Sequence, residues 1–127
     1  NQLQCNVMIQ QQGIEAVHSE FGTKMMAWGP LGGQGVDGIV MSEELAAIGA
    51  KYGKSAAQVA LRWLTQRDIV AIPKSVHKER MEQNYNVLDF SLTDEDMAQI
   101  AKMNQHDTGT INFGDPQFVK YLIQNYG

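Results

Sequence analysis

Three short apolar runs, separated by helical stretches, constrain this chain most. Residues 1–6 alternate polar and apolar, with Leu3 and Cys5 on one side, which is the period of a strand. Lys24-Met25-Met26-Ala27-Trp28 is mostly apolar and stops at Gly29-Pro30, which predicts a strand buried on both faces. Asp68-Ile69-Val70-Ala71-Ile72, closed by Pro73, predicts a third strand. Strands that alternate with helices imply a parallel sheet covered by helices, an α/β fold. Three strands are too few for an ordinary α/β domain. They suit the C-terminal portion, about the last three βα units, of a (β/α)8 TIM barrel, so residues 1–127 are expected to be one segment of a single barrel domain with its N-terminal strands absent.

The helices carry their own punctuation. Residues 8–21 read as a helix with Ile14, Val17 and Phe21 at helical spacing, ended by Gly22. A glycine-rich loop spans 29–38. Ser42 suits the N-cap of a helix reaching residue 52, with Glu43 and Glu44 at its positive end and Gly53 closing it. Ser55 and Gln58 form a capping-box pattern for a helix to about residue 67, with Val59, Ala60, Trp63 and Leu64 as its inner stripe. A helix over 78–87 is expected to bury Met81, Tyr85 and Leu88. Thr93 caps another, with Asp94, Glu95 and Asp96 in its first turn and Met97, Ile100 and Ala101 inward. Residues 104–116 read as loop and 117–124 as a last helix.

Composition excludes some roles. The formal net charge is −4 and the sequence pI about 5.2, which argues against a nucleic-acid partner, whose usual footprint is basic. No apolar run approaches the ~18–20 residues of a membrane span. Cys5 is the one cysteine, so no internal disulfide forms, and it reads as a buried thiol from a reducing compartment. Asn1-Gln2-Leu3-Gln4 has neither a Met nor a basic leader and reads as the middle of a longer protein, with a cytoplasmic origin the default. His18, His77 and His106 are scattered without Cys or carboxylates at ligand spacing, so no metal site is expected.

Two places carry chemistry on residue type alone. Lys74, Ser75 and Arg80 follow a strand and open a helix, where free backbone N–H groups and a positive dipole end face an anion; the same residues also fit a solvated basic patch. Trp28 ends a strand, which in a barrel is the active-site rim, although a core tryptophan fits too. Gly33-Gln34-Gly35-Val36-Asp37-Gly38 satisfies G-x-G-x-x-G. A dinucleotide fold needs those glycines directly after a strand and an acidic residue about 20 positions on. Here Pro30-Leu31-Gly32 intervenes and Gln58 stands at that distance, so loop flexibility explains the motif better.

Three segments in order resemble the aldo-keto reductase family: Asn1-Gln2-Leu3-Gln4-Cys5-Asn6, Ala27-Trp28-Gly29-Pro30-Leu31-Gly32, and Ile72-Pro73-Lys74-Ser75-Val76 followed by Arg80 and Asn84. Tyr52 to Trp63 is similar to the family's helix-pair wording. The resemblance covers about residues 1–104 and implies a barrel that reduces carbonyls of small-molecule substrates with a nicotinamide cofactor, NADP(H). It implies that Lys74, Ser75 and Arg80 hold the 2′-phosphate and adenine, within the Ile72, Pro73 and Val76 context. It implies adenine contacts from Asn84 and from Gln83, which stands where the family has Glu and lacks its charge. By the same resemblance Trp28 stacks on the nicotinamide, Gln2 pairs with its carboxamide, and Gly29, Pro30, Leu31 and Gly32 bring backbone to the pyrophosphate. The family's catalytic Tyr, Lys, Asp and His match nothing here; Tyr52, Tyr85, His18 and His77 fall outside its catalytic motifs. Two other classes stay open: a nucleotide-binding or regulatory subunit without turnover, and an inactive fragment. Three strands leave sheet edges bare, so poor stability or self-association is expected of this chain alone.

Overall fold

A computed structural model describes residues 1–33, 38–105, 120 and 123–125. The elements are β1 (Gln2–Gln4), α1 (Gln12–Glu20), β2 (Met26–Trp28), a single 3-10 turn (Ile39–Met41), α2 (Glu43–Ala50), α3 (Ala56–Gln66), β3 (Val70–Ile72), α4 (Lys78–Tyr85) and α5 (Asp94–Ala101). The expected last helix over 117–124 lies mainly outside the described residues, as does most of the loop before it.

The strands form one parallel sheet in the order β1-β2-β3. Its register sets Leu3, Ala27 and Ala71 on one rung, and Gln4, Trp28 and Ile72 on the next. Side chains alternate between faces, so the Leu3 rung meets the helices while the Gln4 rung looks the other way. Ala27 is fully buried against the core, with Cys5, Met25 and Ile69 at the strand flanks. Met26, Val70 and Ile72 on the other face are 39%, 45% and 41% exposed. The expectation of a β2 buried on both faces is thus corrected. Among the described residues, helices cover only one side of the sheet.

Helix α3 is the centre of the packing. Seven of its 11 residues are buried, including the expected stripe of Val59, Ala60, Trp63 and Leu64. Its N-terminus closes by the expected capping box: Ser55 Oγ accepts from Gln58 N–H, and Gln58 Oε1 accepts from Ser55 N–H. The same Gln58 reaches outward and donates from Nε2 to the carbonyls of Gln83 and Asn86, at 3.1 Å each. One side chain therefore starts α3 and finishes α4. At the other end, the Arg67 guanidinium lies 4.1 Å from the Trp63 ring centre, pairs with Glu15 and donates to the Gln10 carbonyl.

Other expectations shift for local reasons. Helix α1 begins at Gln12 rather than residue 8, because Asn6 Oδ1 accepts from the N–H groups of both Met8 and Ile9 and turns the chain there. Val17 and Phe21 stay exposed, with only Ile14 of the three packed on the core. Met81, Tyr85 and Leu88 are 50%, 82% and 67% exposed; α4 buries no residue and hangs on Gln58 and on Lys54, whose ammonium contacts Asn86 and Asp89. Val87 fills the core position instead. Ala101 is exposed as well, leaving Ile100 and the partly buried Met97 to seat α5.

Asp96 is more than a member of a helix-start charge cluster. It completes the capping box of Thr93, and its fully buried carboxylate accepts from Lys51 Nζ at 2.6 Å and from the Tyr52 hydroxyl. Burial pushes the carboxyl up, but the Lys51 ammonium, the Tyr52 hydroxyl and the Thr93 N–H outweigh it and hold it at about 2. A carboxyl held below its ordinary value stabilises the fold above that value and loses the contribution as pH falls through the lower one. Asp96→Asn in the full-length protein should therefore cost about 2 kcal/mol near neutrality. The penalty should shrink as pH falls from the ordinary 3.8 toward 2. Urea midpoints across that acid range check both parts.

Candidate functional site

Parallel pairing delivers the ends of all three strands to one edge of the sheet. There Trp28 and Ile72 share a rung, so the loops that follow them start as neighbours. Trp28 is half-buried, on the face away from the helices. Directly after it, Gly29 (φ 61°) and Gly32 (φ 98°) take left-handed backbone, and Gly32 N–H donates to the Gly29 carbonyl at 3.1 Å. Pro30 is buried and Leu31 packs on the core, so the tight turn is fixed from beneath. A Cβ on Gly29 would meet the Gly32 carbonyl oxygen at 3.4 Å, an ordinary contact, so it is the left-handed backbone rather than lack of room that calls for glycine.

The β3 exit carries the cations. Pro73 and Ser75 are half-buried; Lys74 and Val76 are exposed. Ser75 Oγ accepts from the His77 N–H and reaches the His77 carbonyl, bending the loop into α4. His77 takes the N-cap position of α4 but makes no side-chain cap, so the first-turn N–H groups receive no such partner. Arg80 lies in that first turn, and neither it nor Lys74 has an ion pair among the described residues. Arg80 and Gln83 are exposed and Asn84 half-buried along the same short helix. Two free cations thus flank an uncapped, positive helix end, an arrangement suited to phosphate oxygens.

The fold therefore brings Trp28, Gly29, Pro30, Leu31 and Gly32 beside Ile72, Pro73, Lys74, Ser75 and Val76 at one edge, with Arg80, Gln83 and Asn84 on the helix that follows. Gln2 stands apart from this edge. It shares a face with Trp28 but sits on the rung of Met26 and Val70, at the start of β1, and is exposed. Sequence reasoning missed two amides nearer the edge. Gln4 is on the Trp28 rung, and Asn6 donates from Nδ2 to the Gly29 carbonyl at 3.1 Å. The alternation Gln2, Gln4, Asn6 was the available signal: polar residues at period two mark a strand face that is not greasy core.

Other sequence features carry no chemistry at this edge. Burial pushes the Cys5 thiol up to about 11, which keeps it protonated, and its Sγ donates to the Gln10 carbonyl. Among the described residues no three His, Cys, Asp or Glu side chains gather as metal ligands, and no helix is long and apolar enough to cross a membrane. Of the G-x-G-x-x-G run, residues 34–37 lie outside the described residues. A groove of about 490 Å³ opens at the opposite edge of the sheet, by Glu15, His18, Lys24, Arg67 and Asp68. Its charges are matched in pairs, Arg67 with Glu15 and Lys24 with Asp68.

The described residues thus form a parallel α/β layer with a glycine turn and an uncapped helix start at its strand ends. The sequence profile of the Aldo/keto reductase family matches residues 1–105, and the chain belongs to that family. A 9,11-endoperoxide prostaglandin H2 reductase of Trypanosoma cruzi is 40% identical over 105 residues, 83% of this chain and 37% of that protein. The crystal structure of an aldo-keto reductase from a Medee basin deep-sea metagenome library superposes with a TM-score of 0.79 at 31% identity, covering 89% of this chain and 43% of that one. A mutant of Gox0644 in complex with NADPH gives 0.77 at 29% identity, over 89% of this chain and 43% of its own. These neighbours are (β/α)8 barrels. The chain spans about two fifths of the length of the relatives it matches.

Gly29→Ala should destabilise the full-length protein by about 1–2 kcal/mol, the usual cost of left-handed backbone with a side chain. Gly13→Ala, in α1 with open space around the added carbon, should instead be neutral or stabilise by about 0.5 kcal/mol. Equal effects of the two in denaturant melts would contradict the strained-turn description.

Proposed function

We propose that the protein carrying this chain is an NADP(H)-dependent oxidoreductase that reduces aldehyde or ketone carbonyls of small molecules to alcohols. This chain would be the last three βα units of its barrel. In this reading the chain holds the cofactor and the catalytic Tyr, Lys, Asp and His come from the remainder of the barrel. The observation that carries it is the pair of unmatched cations, Lys74 and Arg80, at the uncapped start of α4, on the strand edge where Trp28 and its glycine turn also emerge. Neither described tyrosine near α2 or α4 suits the acid role: Tyr52 is committed to Asp96, and Tyr85 lies exposed at the end of α4.

Each part has a physical task. Lys74 and Arg80 neutralise the 2′-phosphate, with the α4 N–H groups and Ser75 around it. Asn84 and Gln83 face the adenine with amide donors and acceptors. Gly29 and Gly32 let the backbone of the turn that also holds Pro30 and Leu31 approach the pyrophosphate with no Cβ at those two positions. Trp28 offers a flat surface that orients the nicotinamide ring and so selects the face presented to substrate. Gln2 would reach the carboxamide. The bound nicotinamide supplies the hydride that reduces the carbonyl carbon. A cytoplasmic site of action fits the lone thiol.

Two measurements test this reading. Titration with NADPH and NADH, followed by protein fluorescence, should give saturable quenching that favours NADPH. Replacing both cations (Lys74→Ala with Arg80→Ala) should weaken NADPH by at least about 100-fold while affecting NADH little, since each charge-assisted bond contributes about 1.5–3 kcal/mol. An NADPH affinity indifferent to both cations would overturn the assignment of the 2′-phosphate site. Sedimentation of the isolated 127 residues should show self-association through the open edges β1 and β3 and the bare face of Met26, Val70 and Ile72; a sharp monomeric unfolding transition would contradict it.

A further inference from the structure

We infer that Asn6 is a positioning residue that sets the glycine turn after Trp28, and through it the nicotinamide–pyrophosphate half of the cofactor site; the inference rests on the cofactor reading above. Where β1 and β2 stop pairing as strands, the ladder continues for two more links. Cys5 N–H donates to the Trp28 carbonyl at 3.3 Å, and Asn6 Nδ2 donates to the Gly29 carbonyl at 3.1 Å. A side chain thus takes over the role of a backbone donor at the position where the two chains diverge.

The Gly29 carbonyl is the pivot of the turn. It accepts from Gly32 N–H on one side and from Asn6 on the other, so both lone pairs are used. Gly32 closes the turn upon itself, and Asn6 ties it to the neighbouring strand exit. Asn6 is itself held on its other side: it is fully buried, and its Oδ1 accepts from the N–H groups of Met8 and Ile9 at 3.0 Å each. A rigid acceptor end thus aims a donor end at the carbonyl that follows the stacking tryptophan. Among the described residues, no hydrogen bond of this network reaches Lys74, Ser75, Arg80 or Asn84 on the adjoining loop.

That separation gives the test. Asn6→Asp keeps an oxygen for Met8 and Ile9 but replaces the donor facing Gly29 with a second acceptor oxygen. Asn6→Ser keeps a shorter, neutral acceptor for the same turn and loses the reach to Gly29. Full-length wild-type protein and both variants would be titrated with NADPH and with adenosine 2′,5′-bisphosphate, which carries the phosphate end and no nicotinamide. In both variants NADPH affinity should fall about tenfold and the amplitude of tryptophan quenching should drop, with bisphosphate affinity unchanged within twofold. Unchanged affinity for both ligands would overturn the inference, and so would parallel loss of both, or failure of both variants to fold, since Asn6 would then be structural only. Wild-type protein that binds neither ligand would remove the cofactor reading and this inference together, a result distinguishable because it appears before any substitution.

Discussion

Parallel pairing of three short strands is the constraint on which the rest depends. Because β1, β2 and β3 run the same way, every chain exit at their C-terminal ends lies along one edge, and every return from a helix lies along the other. Trp28 and Ile72 are 44 positions apart in sequence yet occupy one rung. The glycine turn and the cationic loop are adjacent for that reason alone. Helix α3 makes the arrangement stiff: its buried stripe backs the sheet, while Gln58 and Arg67 at its two ends tie α4 and the start of α1 to the same body.

Helix α4 shows how a mobile-looking element can still be well placed. It buries no side chain, so apolar burial contributes little to its position. Its C-terminal carbonyls are instead gripped by two amide protons of one buried glutamine and by the Lys54 ammonium. The N-terminal end, which carries the free positive charge, is left open toward solvent. One end of α4 is thus anchored while the first-turn N–H groups at the other receive no side-chain cap.

Much of this was readable in the residues. The strands followed from apolar runs bounded by Gly and Pro, and α2, α3 and α5 from the N-caps Ser42, Ser55 and Thr93, with Gln58 three positions after Ser55. Lys74, Ser75 and Arg80 were expected between a strand and a helix and lie there, but on residue type alone they fit a solvated basic patch as well, and only the resemblance suggested a role for them. What stayed hidden was long-range pairing. Asn6 stops α1 from starting early and reaches Gly29, 23 positions away, and no periodicity encodes such a contact. Asp96 read as one of three acids in the first turn of a helix, and nothing in that pattern shows Lys51 and Tyr52, just past the end of α2, reaching it. Met81, Tyr85 and Leu88 have the spacing of an inward stripe, but spacing specifies a face and not its cover.

The lone cysteine has a consequence of a different kind. Cys5 lies at the exit of β1, fully buried, with its thiol pushed up to about 11 and donating to the Gln10 carbonyl. The thiolate is the form that attacks alkylating reagents, so both burial and protonation protect this atom while β1 stays docked on β2. Its modification rate is then a clock for the opening of that strand pair, a chemical counterpart of hydrogen exchange confined to one place in the fold. Whatever braces β1 against β2 would slow the clock without touching the sulfur.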